Sequence, residues 1–369
     1  MNILIIGGGI YVRGDGYKNF GTILPAVLQA QKSKLVDKIF ISTTNLSSTR
    51  KCIKIGQKLS RKIGVKPNFY YHNSPRNRKS YLEIVKELSP DLAIIATPDH
   101  THCEIALNLI KRGIHCLVVK PMASNIRDAK KMLNAERKSK NVICQVEFHK
   151  RLDESNMLFK KMIEEDKLGK LQYSVVEYSQ RKIIPELHFK KWVSKSNIFQ
   201  YLGVHYVDLL YFLTGFYPAK VTAWGQKDYL KRKKINTWDS IQTVIEWKRK
   251  YGGKFVSTIT TNWIDPNKST AMSDQKINIV GTKGRFFADQ KNRGVNYVND
   301  NEGVHDYNPY FTSAYLDEDN KRYIFDGYGI KSIVRFIKDV KDFKSNKTSI
   351  KKLQKIKPSF KSSFISTLV

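Results

Sequence analysis

A chain of 369 residues is long enough for two domains, each with its own core. Its 41% apolar share fits a globular protein, and no run nears the ~18 apolar residues of a membrane span. The formal net charge of +32 sets 65 Lys and Arg against 33 Asp and Glu, yet the lysines are spread over almost every polar segment. No single basic stripe with interleaved aromatics stands out, which argues against a nucleic-acid partner and points only weakly to an anionic substrate. Cys52, Cys103, Cys116 and Cys144 fall in helix- or strand-like stretches without metal-ligand spacing. They read as small buried hydrophobes in a reducing cytoplasm, and no metal is expected.

Residues 2–6 form an apolar run that leads into Gly7, Gly8 and Gly9. With no basic stretch before it, the run reads as a first strand rather than a signal peptide. A strand ending in G-x-G offers backbone N–H groups to a dinucleotide pyrophosphate, which marks Gly7, Gly9 and Ile10 as cofactor contacts. Val12 occupies the place of the third fingerprint glycine; Gly14, Gly16 and Gly21 follow, with Arg13 and Asp15 among them. An enlarged phosphate loop is expected, with the helix delayed to about residues 20–31. Residues 38–43 read as the second strand, whose tip is Thr43, Thr44 and Asn45, followed by Ser47, Ser48, Arg50 and Lys51. No acid is present there to hold a ribose 2′-hydroxyl, and a basic, hydroxyl-rich tip suits a 2′-phosphate. A helix cap followed by a solvated basic turn accounts for the same residues, so the cofactor stays open between NAD and NADP. A third strand over residues 68–71 and an amphipathic helix over 81–88 complete this part.

Residues 91–97 are a continuous apolar run, the pattern of a strand buried on both faces of a parallel sheet. Thr101 and Glu104 have capping-box spacing, Cys103, Ala106, Leu107 and Ile110 recur at helical intervals, and Gly113 stands where the helix should end. Residues 114–119 are a second buried strand, stopped by Lys120 and Pro121. This strand–helix–strand crossover is the unit of a doubly wound sheet, in which ligands bind outside the carboxyl ends of the strands. Thr97, Pro98, Lys120 and Pro121 lie there. A helix over residues 125–139 and a sixth strand over 142–148 follow, the strand ending in His149, Lys150 and Arg151.

The second half is rich in Val, Ile, Thr and Tyr without long intervening helices. Strand-like runs at residues 171–180, 221–225, 240–246, 255–262, 277–280 and 284–288 predict a largely antiparallel, open-faced sheet. Residues 197–215 form a helical pattern that sets Tyr201, His205 and Asp208 at i, i+4 and i+7 on one side. Arg181, Lys182, His188 and Trp192 combine basic and aromatic groups that suit a sugar ring and its hydroxyls. A last helix is expected over 330–343, and from about 351 a basic, poorly anchored tail, although Phe360 and Phe364 could dock.

The A-T-P-x-x-x-H run from Ala96 to His102, the Lys120-Pro121 strand end and the G-x-H-x-x-D core from Gly203 to Asp208 together resemble the Gfo/Idh/MocA family of glucose–fructose oxidoreductase- and inositol dehydrogenase-like enzymes. The resemblance implies a Rossmann dinucleotide-binding domain over 1–148. It implies an α+β domain over 149–369 with a large open, mainly antiparallel sheet for substrate binding and homo-oligomerisation, as a dimer or tetramer. It implies NAD or NADP held by the glycine loop, Thr43, Thr44, Asn45, Thr97, Pro98, His102, Lys120 and Pro121. Lys120 and His205 match the catalytic pattern, Tyr201 stands beside them, and His149, Arg181 and Trp192 become substrate contacts. Two departures stand out: Val119 precedes Lys-Pro where the family usually has an acid, and Tyr201 stands four residues before the His where an Asp is usual. The reading is a cytoplasmic NAD(P)-dependent oxidoreductase acting on a sugar, cyclitol or sugar acid, or a nucleotide-sugar derivative of one. Its rival, favoured by both departures, is a non-catalytic dinucleotide-binding sensor or scaffold.

Overall fold

The structure, a computed structural model, describes residues 1–14, 20–71, 79–250, 252–301 and 303–369. Asp15 and Gly16 of the expected phosphate loop lie outside them. The chain divides into two compact units, Met1–His149 with Tyr310–Phe364, and Lys150–Pro309 with Ile365–Val369.

The first unit is built on six strands, β1 (Ile3–Ile6), β2 (Lys38–Ser42), β3 (Asn68–Tyr70), β4 (Leu92–Ile95), β5 (His115–Val119) and β6 (Cys144–Glu147). They pair in parallel in the order β3-β2-β1-β4-β5-β6. All four residues of β1 and of β4 are buried, as continuous apolar runs require in a sheet covered on both faces. The order reverses between β1 and β4, the switch point beside which such sheets bind ligands. The helices are α1 (Ile10–Arg13), α2 (Ile23–Lys32), α3 (Leu46–Ile63), α4 (Ser80–Leu88), α5 (His102–Ile110) and α6 (Ile126–Lys138). A single turn of helix thus starts at Ile10, directly after the glycines, and the longer helix comes later, as expected for the enlarged loop. The expected capping box at the start of α5 does not form. Thr101 ends a 3₁₀ turn over Asp99–Thr101 and donates to the Thr97 hydroxyl and the Pro98 carbonyl instead.

The second unit opens with α7 (Glu154–Glu164) and carries a second six-stranded sheet. Its strands are β7 (Leu171–Arg181), β8 (Tyr217–Gln226), β9 (Ser240–Lys248), β10 (Lys254–Asp265), β11 (Ser273–Gly281) and β12 (Arg285–Asp289), ordered β12-β11-β7-β10-β9-β8. Only the central β7–β10 pair is parallel; the other pairs are antiparallel. Between β7 and β8 lies α8 (Val204–Thr214), and the one-turn α9 (Tyr229–Arg232) lies between β8 and β9. Along β7 and β10 side chains alternate between a buried and a more exposed face, and Val176, Tyr178, Ile259 and Trp263 pack with Leu209 and Leu213 of α8 in the core. A small hairpin, β13 (Asn296–Asn299) and β14 (Gly303–Asp306), follows.

The chain then rejoins the first unit through β15 (Ser313–Leu316), β16 (Tyr323–Asp326), α10 (Tyr328–Lys344) and α11 (Ile350–Ile356). Phe325, Ile333, Phe336 and Ile337 share a core with β1 and α2. A single boundary at 148 therefore describes the first unit only in part. The tail expected from 351 is anchored: Leu353 is buried, and Phe360, which opens α12 (Phe360–Leu368), is completely buried. Most of its lysines are exposed, but Lys357 is buried and paired with Asp339 at 2.7 Å. Among the described residues no helix is long and apolar enough to cross a membrane, and no cluster of His, Cys, Asp or Glu is arranged to hold a metal.

Candidate active site

Gly7 ends β1 with φ +120°, and a Cβ there would lie 2.0 Å from the Ala96 carbonyl oxygen, so the switch point closes only around glycine. A Cβ on Gly9 would meet nothing within 4 Å, which leaves open backbone at the carboxyl edge of the sheet, where a pyrophosphate must approach closely. Ile10 begins α1 just beyond it. Arg13 folds back, its guanidinium donating to the carbonyls of Gly8 and Gly14 at 2.9 Å each. Gly21, at φ +71°, packs where a Cβ would meet Arg13 and Gly14 backbone at 2.5–2.8 Å, so the enlarged loop is pinned where it returns. These features fit a dinucleotide.

At the end of β2, Thr43 donates to the Asn45 carbonyl at 2.7 Å, and the Asn45 side chain caps α3 by accepting from Ser48 N–H at 2.8 Å. Thr43 and Asn45 are therefore occupied in the turn, while Thr44, Ser47 and Arg50 are accessible; α3 has no acid in its first turn. Thr97 and Pro98 lie just past β4, and His102 braces the two loops beside the switch point. Its Nδ1 lies 2.8 Å from the Pro121 carbonyl and its Nε2 2.9 Å from the Thr97 carbonyl. A neutral ring donates to only one of these at a time. His102 is buried with both ring nitrogens engaged, so it clamps the two loops together and offers no free ring nitrogen to a ligand.

Lys120, just past β5, is buried, and burial pulls its pKa down to about 8, while the carboxylates of Asp99 and Glu147 act in the opposite sense. Glu147 is the buried last residue of β6. Its carboxylate lies 3.0 and 3.1 Å from His149 Nδ1 and accepts from the Ser332 hydroxyl at 2.6 Å. Tyr11 hydroxyl lies 3.4 Å from the same His149 nitrogen, and the imidazole packs against Tyr11, Phe311 and Tyr328 with ring centroids 5.1–6.4 Å away. The Tyr11 phenol is held neutral by burial and by Glu147. His149 thus belongs to a packed polar cluster, not to the solvated basic loop that Lys150 and Arg151 suggest. Sequence reasoning missed Glu147, Tyr11 and Ser332, whereas Asp99 lies in the loop over residues 97–100 that it placed at the crevice. The one available signal was a carboxylate in an otherwise apolar strand, at a position where burial demands a partner.

In the second unit, Tyr201 lies in a π-helical turn over Phe199–Gly203 that runs into α8, so the widened turn precedes His205. Tyr201 packs with Phe189 (4.9 Å), Trp263 (5.9 Å) and Trp192 (6.3 Å), and Phe189 with Trp192 (4.5 Å). Trp192 and Tyr201 are thereby brought together in one aromatic wall. His205 is buried, 6.3 Å from the Tyr178 ring. Asp208 is not on offer to a substrate: Arg151 Nε and Nη2 grip its carboxylate at 2.8 and 2.6 Å, and both groups are buried. Arg181 is partly committed, its guanidinium donating to the Ser269 carbonyl. Lys182 sits 4.7 Å over the Tyr229 ring, and His188 is exposed. Lys150 is buried under Gln275, Gln290, Tyr178 and Tyr206, a satisfied internal network.

Residues 1–148 match the family described as "Oxidoreductase family, NAD-binding Rossmann fold", and residues 157–287 match the "GFO/IDH/MocA C-terminal domain". The chain is similar to the myo-inositol 2-dehydrogenase of Thermotoga maritima, 25% identical over 70% of this chain and 72% of that protein. It is 29% identical to the levoglucosan dehydrogenase of Pseudarthrobacter phenanthrenivorans over 41% of this chain, which spans only 39% of that relative. Among solved structures, the scyllo-inositol dehydrogenase of Lactobacillus casei with bound NAD(H) and scyllo-inositol shares the fold, with a TM-score of 0.65 at 15% identity over 100% of this chain and 94% of that one.

Proposed function

Because the chain belongs to the Gfo/Idh/MocA family of oxidoreductases, we propose that it is an NAD- or NADP-dependent dehydrogenase or reductase acting on a secondary alcohol of a cyclitol, sugar or sugar acid. The observation that carries this reading is Lys120. It is a buried ammonium with its pKa brought to about 8, at the same strand edge as the open Gly9 backbone. The nicotinamide, when bound, supplies the redox chemistry.

The chain's own residues supply binding and proton handling. Gly7, Gly9, Ile10, Thr97, Pro98 and Pro121 line the cofactor edge, with Thr44 and Arg50 at the ribose end. Lys120 donates a hydrogen bond to the substrate oxygen and stabilises developing alkoxide. His205, with an imidazole's mid-range basicity, takes or returns the hydroxyl proton. Tyr201 and Trp192 give a sugar ring an apolar wall to lie on. The relatives' printed substrates, myo-inositol, scyllo-inositol and levoglucosan, agree in being compact polyols or anhydrosugars. The four cysteines are all free and buried, in keeping with work in the cytoplasm. The open face of the second sheet is proposed as the surface of a homo-oligomer.

Val119 and Tyr201 favour the non-catalytic rival, and one experiment separates the two. Cofactor binding is titrated by fluorescence, then a polyol and sugar panel is read at the nicotinamide absorbance. Binding with a Kd in the micromolar range, about −7 to −8 kcal/mol, and turnover of at least one polyol are expected. Gly9→Asp should abolish binding, because it sets a side chain and an anion against the pyrophosphate. Binding without turnover across the panel would give the sensor reading the advantage. A folded Gly9→Asp protein that still binds would refute the cofactor site itself.

A further inference from the structure

Between Asp37 and Glu83 the chain holds no acid, so β2, α3 and β3 offer no carboxylate to the hydroxyls of an adenosine ribose. In doubly wound sheets an acid after the second strand favours NAD, whereas a cation there takes the 2′-phosphate of NADP. Arg13 brings a cation to this place from the glycine loop. Its Nε and Nη1 donate to the Gly8 and Gly14 carbonyls, and no described residue accepts from Nη2. Gly8 in turn abuts the start of α3: a Cβ there would lie 2.9 Å from Thr43 Cγ2 and 3.0 Å from Ser48 Oγ. Arg13 Nε and Ser48 Oγ are therefore within about 9 Å of each other across one glycine. That is the scale of one phosphate with a charge-assisted hydrogen bond of about 2.8 Å on either side. Ser47, Ser48 and Lys51 are all at least partly exposed and share one face of α3, at i, i+1 and i+4. A second cation and two hydroxyls thus border the same spot.

Resting on the dinucleotide reading above, we infer that this chain prefers NADP to NAD, with Arg13 as a ligand of the 2′-phosphate together with Ser47, Ser48 and Lys51. Two nitrogens of Arg13 hold the loop and the third meets no protein acceptor, so the guanidinium is oriented before an anion arrives. Such preorganisation spares part of the entropy of ordering a long cation on binding. A plain pin for the loop is the competing account of Arg13. It explains the two carbonyl contacts, but not a helix that meets the loop with two hydroxyls, a lysine and no acid. The Cys52 thiol, on which a Gly8 Cβ would also close at 2.9 Å, agrees with a shared location. Burial raises its pKa to about 11, and Arg13 and Lys51 are the two cations that act against that rise.

The test is binding, measured by calorimetry on the full chain with NADP⁺ and NAD⁺ in separate titrations, and it needs no turnover. The native protein should bind NADP⁺ at least about tenfold more tightly than NAD⁺. Arg13→Met should weaken NADP⁺ by roughly ten- to a hundredfold and NAD⁺ far less, since only one of the two carries the extra phosphate. Arg13→Lys keeps the charge without the planar fork and should recover part of the loss. Thr44→Asp sets a carboxylate at the exposed tip of β2 and should reverse the preference. A native protein that binds NAD⁺ as tightly as NADP⁺ overturns the inference and leaves the proposed function standing. An equal loss of both cofactors in Arg13→Met reduces the residue to a pin for the loop and overturns the inference as well. Should Arg13→Met fail to fold, Lys51→Met and Thr44→Asp decide the matter, and an unchanged ratio of affinities in both overturns it. A native protein that binds neither dinucleotide overturns the proposed function and this inference together.

Discussion

Lys120 experiences burial and two carboxylates pulling its proton in opposite directions, with burial the larger effect. If its ammonium is the form that donates to the substrate oxygen, kcat/KM should fall as pH rises past about 8, since that profile reports groups of the free enzyme. Lys120→Ala should remove that limb and lower kcat by roughly 10²–10⁴-fold, the usual worth of a positioned acid–base group. A profile flat from pH 7 to 9 would contradict the role. Tyr201 calls for a different experiment. Its ring is fixed by Phe189, Trp192 and Trp263, which suits a wall more than a mobile proton carrier. Tyr201→Phe should therefore raise KM by about 0.5–1.5 kcal/mol's worth of lost hydrogen bonding and leave kcat nearly intact. A kcat loss as deep as that of His205→Ala would make the phenol a proton carrier.

At the scale of elements, the β4–α5–β5 unit was legible because its signals are local: two uninterrupted apolar runs and Gly113, which ends the helix at φ +74°. Other elements were obscured. The 18-residue α3 is so dense in lysine that its buried stripe of Cys52, Ile55, Leu59 and Ile63 was passed over in the sequence. Glu147 was legible only as a carboxylate in a strand that needs a partner; its neighbour Val119 is set by strand register, which no short-range pattern encodes. The anchoring of the tail belongs here too. Glu136 of α6 is buried and accepts the backbone N–H groups of Phe360 and Lys361 at 3.3 and 3.0 Å, holding the start of α12. Burial raises its pKa to about 7, against the opposing pull of those hydrogen bonds. An acid whose pKa is raised on folding keeps its proton longer in the folded state. Its stability contribution is therefore full below the unfolded value of 4.5 and lost as pH climbs to about 7. The loss is on the order of 3 kcal/mol. Glu136→Gln retains an acceptor oxygen and should flatten the dependence of Tm on pH between 5 and 7 and raise Tm by a few degrees at pH 8. Parallel Tm-versus-pH curves for the two proteins would show that the buried carboxyl does not titrate in this window.

At the scale of the whole molecule, the proposed homo-oligomer is tested on the exposed face of the second sheet. Register carries a single row across the second sheet, from Thr222 through Val244, Thr258, Val175 and Asn278 to Phe287. The row holds no charge, in a chain where 27% of residues are charged. Among the described residues Val175 is 40% and Phe287 61% exposed, and Trp224 at 56% lies on the edge strand β8. The uncharged row is flanked on the same face by rows that carry Lys276 with Glu177 and Lys220 with Glu246, so an interface here would have a partly apolar centre and a charged rim. A flat face-to-face pairing of two such sheets would bury the row twice, with about 800 Å² needed from each partner for a stable interface. Val175 sits on the central strand β7, away from the aromatic wall, so Val175→Glu tests the face without touching the proposed chemistry. Light scattering at micromolar concentration should give a multiple of the 42.7 kDa chain mass for the native protein and a shift toward the monomer for the variant. Two buried glutamates facing each other would have to be desolvated without a partner, which costs several kcal/mol per carboxylate. A native protein already monomeric at that concentration, or a variant whose mass is unchanged, would rule out the sheet face as the contact.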